Sequence, residues 1–487
     1  MKTTNLVLLF VVTIIFMIGC DNQKETEDTV DIVPPEVEDN QIDSTREESY
    51  AIFAQNPIVQ TNYTADPAPM VYNNTVYLYT THDADETIDD FFTMPDWQCY
   101  SSTDMVNWTD HGIVASLKDF TWLDKTNGAW APQCIERNGK FYLYCPIHGE
   151  GVSVLVSDSP TGPFKDPLGK RLIDSNHIWD DIDPTVYIDD NGQAYLFWGN
   201  PSIYYVKLNE DMVTYDRSIG NNGIVTMEMS AASFGSFDGG SRTSYEEAPW
   251  IYKRNNNYYL VYAANGIPED IAYSMAPTIE GPWTYKGIIM KSARPLAFTI
   301  HPGVIDYKGN SYFFYHDQSL SGQGFKRSVS IEQFEYNEDG TIPLIVPTKE
   351  GIKESVSNLN PYERVEAETI AWAEGLKTKT DSKRSVYVTK IDNNDYIIVR
   401  SVDFGQGAST FEANVASDST GGQIEIRLGG INGELLGVLN VKNTAGWEKW
   451  NVQKCDIKKV AGIHDLYFVF KGGNGELFNF DWWKFSK

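Results

Sequence analysis

Residues 183–198 read DPTVYIDDNGQAYLFW: a short apolar run, an Asn191-Gly192 dipeptide and an aromatic-rich run. Asn-Gly between two such runs is typical of a tight β-hairpin turn. The same pattern begins again at residues 66, 130, 247 and 301. The four further copies are DPAPMVYNNTVYLY at 66–79, WAPQCIERNGKFYLY at 130–144, EAPWIYKRNNNYYLVY at 247–262 and HPGVIDYKGNSYFFY at 301–315.

The spacing between copies leaves room for two more strands after each hairpin, so each unit holds about four strands. Such a unit, repeated around an axis, is typical of a β-propeller. A β-sandwich with coincidental hairpins is the alternative, and five matched copies disfavour it. We therefore predict an all-β chain whose residues 51–358 form a five-bladed β-propeller.

A propeller brings the start of every innermost strand close to the central axis. The residues expected to converge there stand at or near the repeated prolines: Asp66, Trp130, Asp183, Glu247 and His301. Carboxyl groups packed together raise one another's pKa, so at least one should hold its proton. A protonated acid facing an ionised base is the arrangement that glycoside hydrolysis needs.

Glu246 competes with Glu247 for the place in this funnel. Adjacent strand residues face opposite ways, so only one of the two can enter it. Glu247 lies two residues before its proline, as Trp130 does, which favours Glu247. Trp130 itself could be a sugar platform or plain packing.

These residues carry a resemblance to a known family. Asp66-Pro67, Ile182-Asp183-Pro184 and Glu247-Ala248-Pro249-Trp250 resemble the three catalytic blocks of glycoside hydrolase family 43, and residues 298–303 and 325–329 resemble its later blades. The resemblance covers residues 54–350. It implies a five-bladed propeller and hydrolysis with inversion of the anomeric centre.

The same resemblance implies a role for each residue. Asp66 would be the general base that activates water, and Glu247 the general acid that protonates the leaving oxygen. Asp183 would orient that acid and tune its pKa. His301 would sit by a metal ion or a water molecule in the axial channel, although a core histidine bonded to the backbone is the alternative.

After Asn358 the repeat ends, and alternating apolar runs predict a β-sandwich over residues 359–487. The segments at 364–368, 391–405, 446–450 and 478–482 resemble carbohydrate-binding module family 6. The resemblance implies a sugar cleft with Trp447 and Asn479. Lys390 stands where the family's second aromatic is expected, so the module could bind weakly or through another face.

Glu366, Glu368 and Asp481 match a structural calcium site of that module family. Oxygen ligands suit Ca²⁺, and a surface charge cluster is the alternative. No organic cofactor is expected. A second metal ion near His301 is left open.

The N-terminus indicates where the protein is located. Residues 6–18 are apolar but too short to span a membrane, which is typical of a secretory signal. Met17-Ile18-Gly19-Cys20 resembles a bacterial lipobox, with Met17 as a departure from the usual Leu. The resemblance implies a signal peptide at 1–19 and a lipidated Cys20, and hence a lipid-anchored protein of the bacterial envelope, periplasmic or surface-exposed.

Residues 20–50 are predicted to be an acidic, flexible tether. Residues 20–49 contain 11 acids and 2 bases, and such a segment cannot bury enough apolar surface to order itself. The whole chain carries a formal net charge of −28, which argues against nucleic acid as a partner. We expect a monomer whose only membrane contact is the lipid anchor.

The cysteines do not predict a disulfide. In a two-residue hairpin at Asn138-Gly139, Cys134 would face Leu143 and not Cys145. No pair of cysteines shows metal-ligand spacing.

Taken together, the sequence predicts an inverting glycoside hydrolase of plant hemicellulose. The segments at 298–303 and 325–329 most resemble family members that act on arabinoxylan, which implies an α-L-arabinofuranosidase first. A β-xylosidase, second, or an endo-arabinanase, third, would use the same three carboxylates. A non-catalytic surface glycan-binding protein is the alternative from another class, and the intact Asp66, Asp183 and Glu247 argue against it.

Overall fold

The structure is a computed structural model that describes residues 55–177, 179–293, 295–381, 383 and 385–487. The predicted signal peptide, the lipidation site Cys20 and the tether lie outside these residues. Of the helices in the described part of the chain, none is long and apolar enough to cross a membrane.

In the described chain, residues 63–334 form five antiparallel sheets, one after another along the sequence. The first three sheets comprise β1 (Tyr63–Tyr72), β2 (Thr75–Asp83), β3 (Asp96–Ser102) and β4 (Trp108–Ser116); β5 (Gln133–Arg137), β6 (Lys140–Ile147) and β7 (Gly151–Ser157); and β8 (Thr185–Ile188), β9 (Ala194–Trp198), β10 (Tyr204–Leu208) and β11 (Val225–Thr226). The last two comprise β12 (Tyr245–Arg254), β13 (Asn257–Ala264), β14 (Asp270–Ala276) and β15 (Thr284–Met290); and β16 (Gly303–Tyr307), β17 (Asn310–Asp317) and β18 (Ser328–Phe334).

Each of the five hairpins seen in the sequence forms the first two strands of one sheet. At the second hairpin, Asn138 and Gly139 both have positive φ, of 55° and 76°, the conformation that a tight hairpin turn requires. Cys134 lies opposite Leu143, as predicted. Cys99, Cys134, Cys145 and Cys455, the cysteines of the described chain, are free thiols. A one-turn helix α1 (Ala231–Phe234) and two 3₁₀ turns (Leu117–Asp119, Phe237–Gly239) lie in the connections.

The sheets are arranged in a closed ring. The first strand of each sheet lies against the first strand of the next, in the order β1, β5, β8, β12 and β16, and β16 returns to β1. Neighbouring sheets share apolar contacts: Tyr144 packs with Leu196, and Leu78 with Phe314. Because strands are covered on both faces, their sequences are nearly continuous apolar runs. This is the predicted five-bladed propeller.

The two ends of the propeller meet. Upstream of β1, the backbone N–H of Ile58 donates to the carbonyl of Val329 in β18 at 2.8 Å. The Asn56 amide bonds to both backbone groups of Ile331, at 2.9 and 3.0 Å. The N–H of Gln55 donates to the carbonyl of Lys349 at 2.8 Å. The segment directly before β1 is therefore fastened to the last blade.

The C-terminal part is the predicted β-sandwich. Its strands are β19 (Val365–Glu366), β20 (Thr369–Ile370), β21 (Trp372–Glu374), β22 (Lys377–Thr380), β23 (Val386–Thr389), β24 (Tyr396–Asp403), β25 (Ala408–Ala416), β26 (Gly422–Leu428), β27 (Glu434–Val441), β28 (Asn451–Val460), β29 (Ile463–Lys471) and β30 (Asn479–Ser486). One sheet has the order β22-β23-β30-β25-β28, with β19 beside β30, and the other has the order β21-β24-β29-β26-β27. Phe411, Phe468 and Trp483 are fully buried between them.

One strand of this part belongs to the propeller. β20 pairs with β4, Thr369 opposite Thr109 and Ile370 opposite Trp108, and so extends the first blade to five strands. Nearby, Thr378 donates to Asp110 at 2.7 Å, and the N–H of Arg400 donates to the Asn107 side chain at 2.8 Å. The sandwich is thus docked along the outer edge of the first blade.

Candidate active site

A pocket opens where the first strands of the blades begin. It is a cavity of about 130 Å³. All five residues expected to converge at the axis line it: Asp66, Trp130, Asp183, Glu247 and His301. The sequence did not single out the other polar residues of its lining, which are Thr299, His316 and Arg327.

Unusual backbone turns point the carboxyl groups inward. The residue before the repeated proline has positive φ in three blades, 52° at Asp66, 55° at Asp183 and 56° at Ala248. The left-handed region is rare for residues other than glycine, and an α-type conformation is disfavoured before proline. The register of β1 and of β12 shifts at these points. Strain of this kind clusters at functional sites.

Asp66 is held as a carboxylate. The Thr81 hydroxyl donates to its Oδ2 at 2.8 Å, and Arg327 donates to its Oδ1 at 3.1 Å. Its own N–H donates to Nδ1 of His316 at 3.0 Å. Burial acts to raise the pKa of Asp66, but Arg327, the two nearby histidines and Thr81 outweigh it, so the pKa is lowered.

Arg327 is fixed from its other side by Asp83. The guanidinium makes a two-point contact with the Asp83 carboxylate, 2.9 Å from Nε and 2.9 Å from Nη2. Both side chains are buried, and Phe92 lies under the guanidinium at 4.6 Å. Because a two-point contact fixes the guanidinium plane, Asp83 sets the direction from which Arg327 reaches Asp66.

Glu247 has the opposite electrostatic surroundings. Burial raises the pKa of Glu247 to about 7. The charge of Asp66 adds to this shift, and a 2.6 Å hydrogen bond from Asn200 opposes it. Glu246 instead pairs with Arg242. The choice between these two neighbours is therefore settled: Glu247 lines the pocket.

Asp183 lies beside Glu247. Its Oδ2 accepts the N–H of Ala248 at 3.0 Å, which fixes the peptide that follows Glu247. Burial and the neighbouring Glu247 carboxyl raise the pKa of Asp183 well above its usual range. Two such groups titrate as a pair, and the pair retains a proton at pH values where isolated carboxyls have lost theirs.

Glu269 is a fourth acid that the sequence analysis did not find. It is 1% exposed, and its Oε2 accepts the N–H of Ile300 at 2.7 Å, beside His301. Burial and Glu247 raise its pKa well above the usual range. Its carboxyl braces the segment that leads to His301.

The two pocket histidines are neutral. Burial lowers the pKa of His301 to about 4 and that of His316 to about 3, with Arg327 adding to both shifts. Nε2 of His316 donates to the Thr299 carbonyl at 2.8 Å, so Nδ1 is free to accept from Asp66.

A metal ion beside His301 does not fit this pocket. Among the described residues no three His, Cys, Asp or Glu side chains are grouped to hold a metal. The cation that neutralises Asp66 is Arg327, and it would repel a second positive charge at this position. The sequence left a metal ion near His301 open, and the residues around His301 in this structure do not support one.

Aromatic side chains form two walls around the pocket. On one side Trp130 stacks on His148, with ring centroids 4.0 Å apart and planes at 12°. On the other, phenylalanines from the first and fifth blades pack edge to face or tilted: Phe91, Phe92, Phe298 and Phe325. The face of an aromatic ring is suited to stacking against the apolar face of a sugar ring.

In the sandwich, the residues expected to form a sugar cleft are engaged with one another. Asn479 is 2% exposed, and it donates to the Trp447 carbonyl at 2.6 Å and accepts from Thr389 at 2.8 Å. Lys390 forms an ion pair with Glu476 at 3.1 Å. A charged pair thus occupies the place where a second aromatic was expected.

The three carboxyls predicted to bind calcium lie close together. Glu366 pairs with Arg364 at 2.7 Å, and the same guanidinium is 3.8 Å from Asp481. Glu368 is 4% exposed, its Oε2 has no hydrogen-bond partner, and burial and Glu366 are the main causes that raise its pKa. A buried, unpartnered carboxylate oxygen is a ligand type that suits a hard cation. The three carboxyls are not grouped as metal ligands in this structure, since no such group of three is found among the described residues, and Arg364 supplies the positive charge between Glu366 and Asp481.

Comparisons with known proteins agree with this geometry. Residues 54–342 match the model of Glycosyl hydrolases family 43, and residues 366–487 match that of Carbohydrate binding module (family 6). An arabinoxylan arabinofuranohydrolase of Bacillus subtilis (strain 168) is 35% identical over 497 residues, 89% of this chain and 92% of the relative. One of Paenibacillus polymyxa is 35% identical over 489 residues, 88% of this chain and 74% of the relative.

Solved structures show the same relationship. A family 43 arabinoxylan arabinofuranohydrolase from Bacillus subtilis, crystallised with cellotetraose, superposes with a TM-score of 0.77 at 32% identity, covering 89% of this chain and 98% of that chain. The match extends over both the propeller and the sandwich. The chain therefore belongs to glycosyl hydrolase family 43, and it is a glycoside hydrolase with a family 6 carbohydrate-binding module after its propeller.

Proposed function

We propose that this enzyme is an inverting α-L-arabinofuranosidase that removes arabinose side chains from arabinoxylan. The observation that carries the proposal is the opposite protonation of two carboxyls in one pocket. Asp66 has a lowered pKa, whereas that of Glu247 is raised to about 7. The two relatives that match both domains are arabinoxylan arabinofuranohydrolases, which supports this substrate.

In this proposal Asp66 is the general base. Ionised between Arg327 and Thr81, it takes a proton from the water that attacks the anomeric carbon. Glu247 holds a proton near neutral pH and gives it to the leaving oxygen. Asp183 accepts the N–H of Ala248 and so holds the peptide that follows Glu247, which orients the acid. The Glu247 carboxyl in turn raises the pKa of Asp183.

The small size of the pocket favours action on a terminal sugar. A cavity of about 130 Å³ is well below the roughly 300–1,000 Å³ of sites that enclose a drug-sized ligand. It has room for one pentose unit, and a chain running through it would need a groove. This supports release of single sugars over internal cleavage.

The experiment measures sugars released from arabinoxylan and from aryl α-L-arabinofuranoside and aryl β-D-xylopyranoside. We expect arabinose from the polymer, faster turnover of the arabinofuranoside, and inversion in the NMR spectrum of the first product. Xylose alone, or a retained anomer, would contradict the proposal. Inversion also requires the Asp66 and Glu247 carboxyls to be about 6.5–9.5 Å apart.

We further propose that Cys20 is lipidated, so that a monomeric enzyme is tethered to the bacterial envelope by residues 20–50. The sequence features of residues 1–50 support this.

For the sandwich, we propose a structural Ca²⁺ held by Glu366, Glu368 and Asp481, supported by the unpartnered Oε2 of Glu368. Polysaccharide binding by the module would then use a surface other than the one that Lys390 and Glu476 close.

A further inference from the structure

Asp181 is a buried carboxyl that no step of the proposed hydrolysis uses. It lies two residues before Asp183 but does not line the pocket, and it is 0% exposed. Nδ1 of His177 and Nε1 of Trp198 donate to its Oδ1 at 2.8 and 2.6 Å, and the Ser175 hydroxyl donates to its Oδ2. Burying a carboxyl is costly unless it is hydrogen-bonded, so these three partners hold it there. We call this carboxyl and its three partners the buried clamp.

The buried clamp joins two segments that lead into the pocket. Its Trp198 is the last residue of β9, and the residues that follow pair with the segment that carries the clamp's carboxyl. The N–H of Gly199 donates to the Ile182 carbonyl at 2.9 Å. The N–H of Asn200 donates to the Asp180 carbonyl at 3.2 Å. The two segments are therefore fixed in one register beside the clamp.

The turn after β9 directs the Asn200 side chain to the proposed acid. Gly199 has a φ of 124°, and a Cβ there would come within 2.3 Å of the Ser202 carbonyl oxygen, so the turn requires glycine. The Gly199 carbonyl accepts the hydroxyl of Tyr245 at 2.6 Å, and Tyr245 stands two residues before Glu247. The Asn200 amide donates to Oε2 of Glu247 at 2.6 Å. The place of this donor depends on a turn that the clamp holds.

We propose that Asp181 is a positioning residue of the hydrolysis, which acts on Glu247 through Trp198 and Asn200. This rests on the proposed function, in which Glu247 is the general acid. The hydrogen bond from Asn200 favours the ionised form of Glu247, so it opposes the burial that raises the pKa of this carboxyl. Loss of the clamp would displace the Asn200 donor, and the pKa of Glu247 would then rise further.

Other groups also influence the pKa of Glu247, so the direction of its change is informative. The charged or titratable side chains around Glu247 are Asp66, Asp183, Glu246, Glu269, His301 and Arg327. Removing or displacing a negative charge near Glu247 would lower its pKa, whereas losing the hydrogen bond from Asn200 would raise it. The two effects have opposite signs.

The test measures kcat/KM against pH on an aryl α-L-arabinofuranoside with a poor leaving group. In the parent the falling limb should lie near pH 7, the pKa of Glu247. We expect Asp181→Ala to move this limb up by about one pH unit and to lower kcat about tenfold, with KM within about twofold. The rising limb, which Asp66 sets, should stay in place.

Further variants separate position from charge. Asn200→Ala should move the falling limb by the same amount, and the double variant with Asp181→Ala should move it no further. Asp181→Asn removes the charge but keeps an acceptor for Trp198, so it should retain the parent limb. Asp174→Asn is the matched control, because Asp174 is exposed and lies 3.8 Å from Arg217, away from the clamp. It should change neither limb.

A falling limb that stays fixed or moves down in Asp181→Ala would overturn the inference, and so would additive shifts in the double variant. If near-UV circular dichroism shows that Asp181→Ala does not fold, Trp198→Phe severs the same link from β9 and must move the limb up. A parent with no falling limb would contradict the proposed acid Glu247 itself, and the inference with it.

Discussion

Asp66 and Glu247 line one pocket, yet their immediate partners differ in kind. Arg327 and Thr81 donate to Asp66, whereas Glu247 receives a single neutral hydrogen bond from Asn200. A cation stabilises the ionised form of a carboxyl, and burial without one stabilises the protonated form. The difference between the pKa values of the two carboxyls, on which the proposed division into base and acid rests, therefore depends on the placement of one guanidinium.

Variants of the two carboxyls should fail in different ways. Asp66→Asn should lose at least about 10³-fold in kcat on every substrate, because no other group takes the water's proton. Glu247→Gln should lose most on natural glycosides and least on aryl glycosides with acidic phenols, which depart without protonation. The measurement is kcat across a series of phenol leaving groups. Equal losses across that series for both variants would contradict the assignment.

The pH profile tests Arg327. Asp66 must be ionised, so activity should rise as pH rises through its pKa, which lies below the usual 3.8. Glu247 must be protonated, so activity should fall as pH rises through about 7. Arg327→Met removes the charge that lowers the Asp66 pKa, so the acidic limb of kcat/KM should move up by about one pH unit.

Lys326→Met is the control for that experiment, because Lys326 neighbours Arg327 in sequence but does not line the pocket. It should leave both limbs in place. An acidic limb that stays fixed in Arg327→Met would show that Arg327 does not set the ionisation of Asp66.

At this scale the sequence predicted the residues that share the repeat's geometry and missed those that do not. Asp66, Asp183 and Glu247 occupy related positions beside a repeated proline, so five copies of one pattern were enough to find them. Arg327 lies in a connection between strands, and its partner Asp83 is 244 residues away. Glu269 directly precedes β14, the third strand of its blade, and has no counterpart in the repeat. Contacts between residues that are far apart along the chain produce no periodic pattern in the sequence.

At the scale of elements, two-strand units were predictable and isolated short strands were not. The hairpins were found because Asn-Gly turns and paired aromatic runs are local signals. β20 is two residues long, and its partner β4 belongs to the first blade. Nothing in Thr369-Ile370 indicates which sheet it joins.

The proposed calcium site, which includes Glu366 of β19 and Asp481 of β30, can be tested by thermal unfolding. If Glu366, Glu368 and Asp481 bind Ca²⁺, a calcium concentration of about 100 times Kd should stabilise the protein by about 2.7 kcal/mol. Differential scanning calorimetry should show a higher unfolding temperature with calcium and a reversal by EDTA. Glu368→Gln should abolish the shift, and Glu363→Gln, at an exposed position, should retain it. Equal unfolding temperatures with and without calcium would contradict the proposed site.

At the scale of the whole molecule, the sandwich forms part of the first blade's edge. A chain of residues 51–358 would lose β20 and leave the backbone groups of Thr109 without their strand partner. It would also expose Trp108, which is 2% exposed in the full chain. We expect it to unfold at least about 5 °C below residues 51–487; in a domain of this length such a shift corresponds to a loss of roughly 3 kcal/mol.

Arg400→Met should have an intermediate effect, because it keeps the sandwich and removes the side-chain bonds to the carbonyls of Ile352 and Lys353, together with a 3.6 Å ion pair to Asp465. Its unfolding temperature should lie between those of the truncated and full chains. Identical unfolding of all three would show that the propeller is independent of the sandwich. Consecutive domains were predictable from where the repeat ends, but a strand shared between them was not.

The anchoring proposal is tested on the full chain in a bacterial host. Cys20→Ala should shift the enzyme from the membrane fraction to the soluble fraction, because the thiol is the atom that lipidation would modify. Cys455→Ala, which alters a partly buried thiol of the sandwich, serves as the control and should stay with the parent. Equal membrane association of all three would contradict lipidation.

The meeting of Gln55 with Lys349 has a consequence for the chain's connectivity. Because these two backbones are already hydrogen-bonded, a short peptide could join them, and the propeller would become a loop of chain without ends. Such a closed chain can be cut at an exposed hairpin tip, such as Asn191-Gly192. The order of the blades around the axis would stay the same. The propeller is therefore a scaffold open to circular permutation, in which the order of Asp66, Asp183 and Glu247 along the chain is one of several that would build the same pocket.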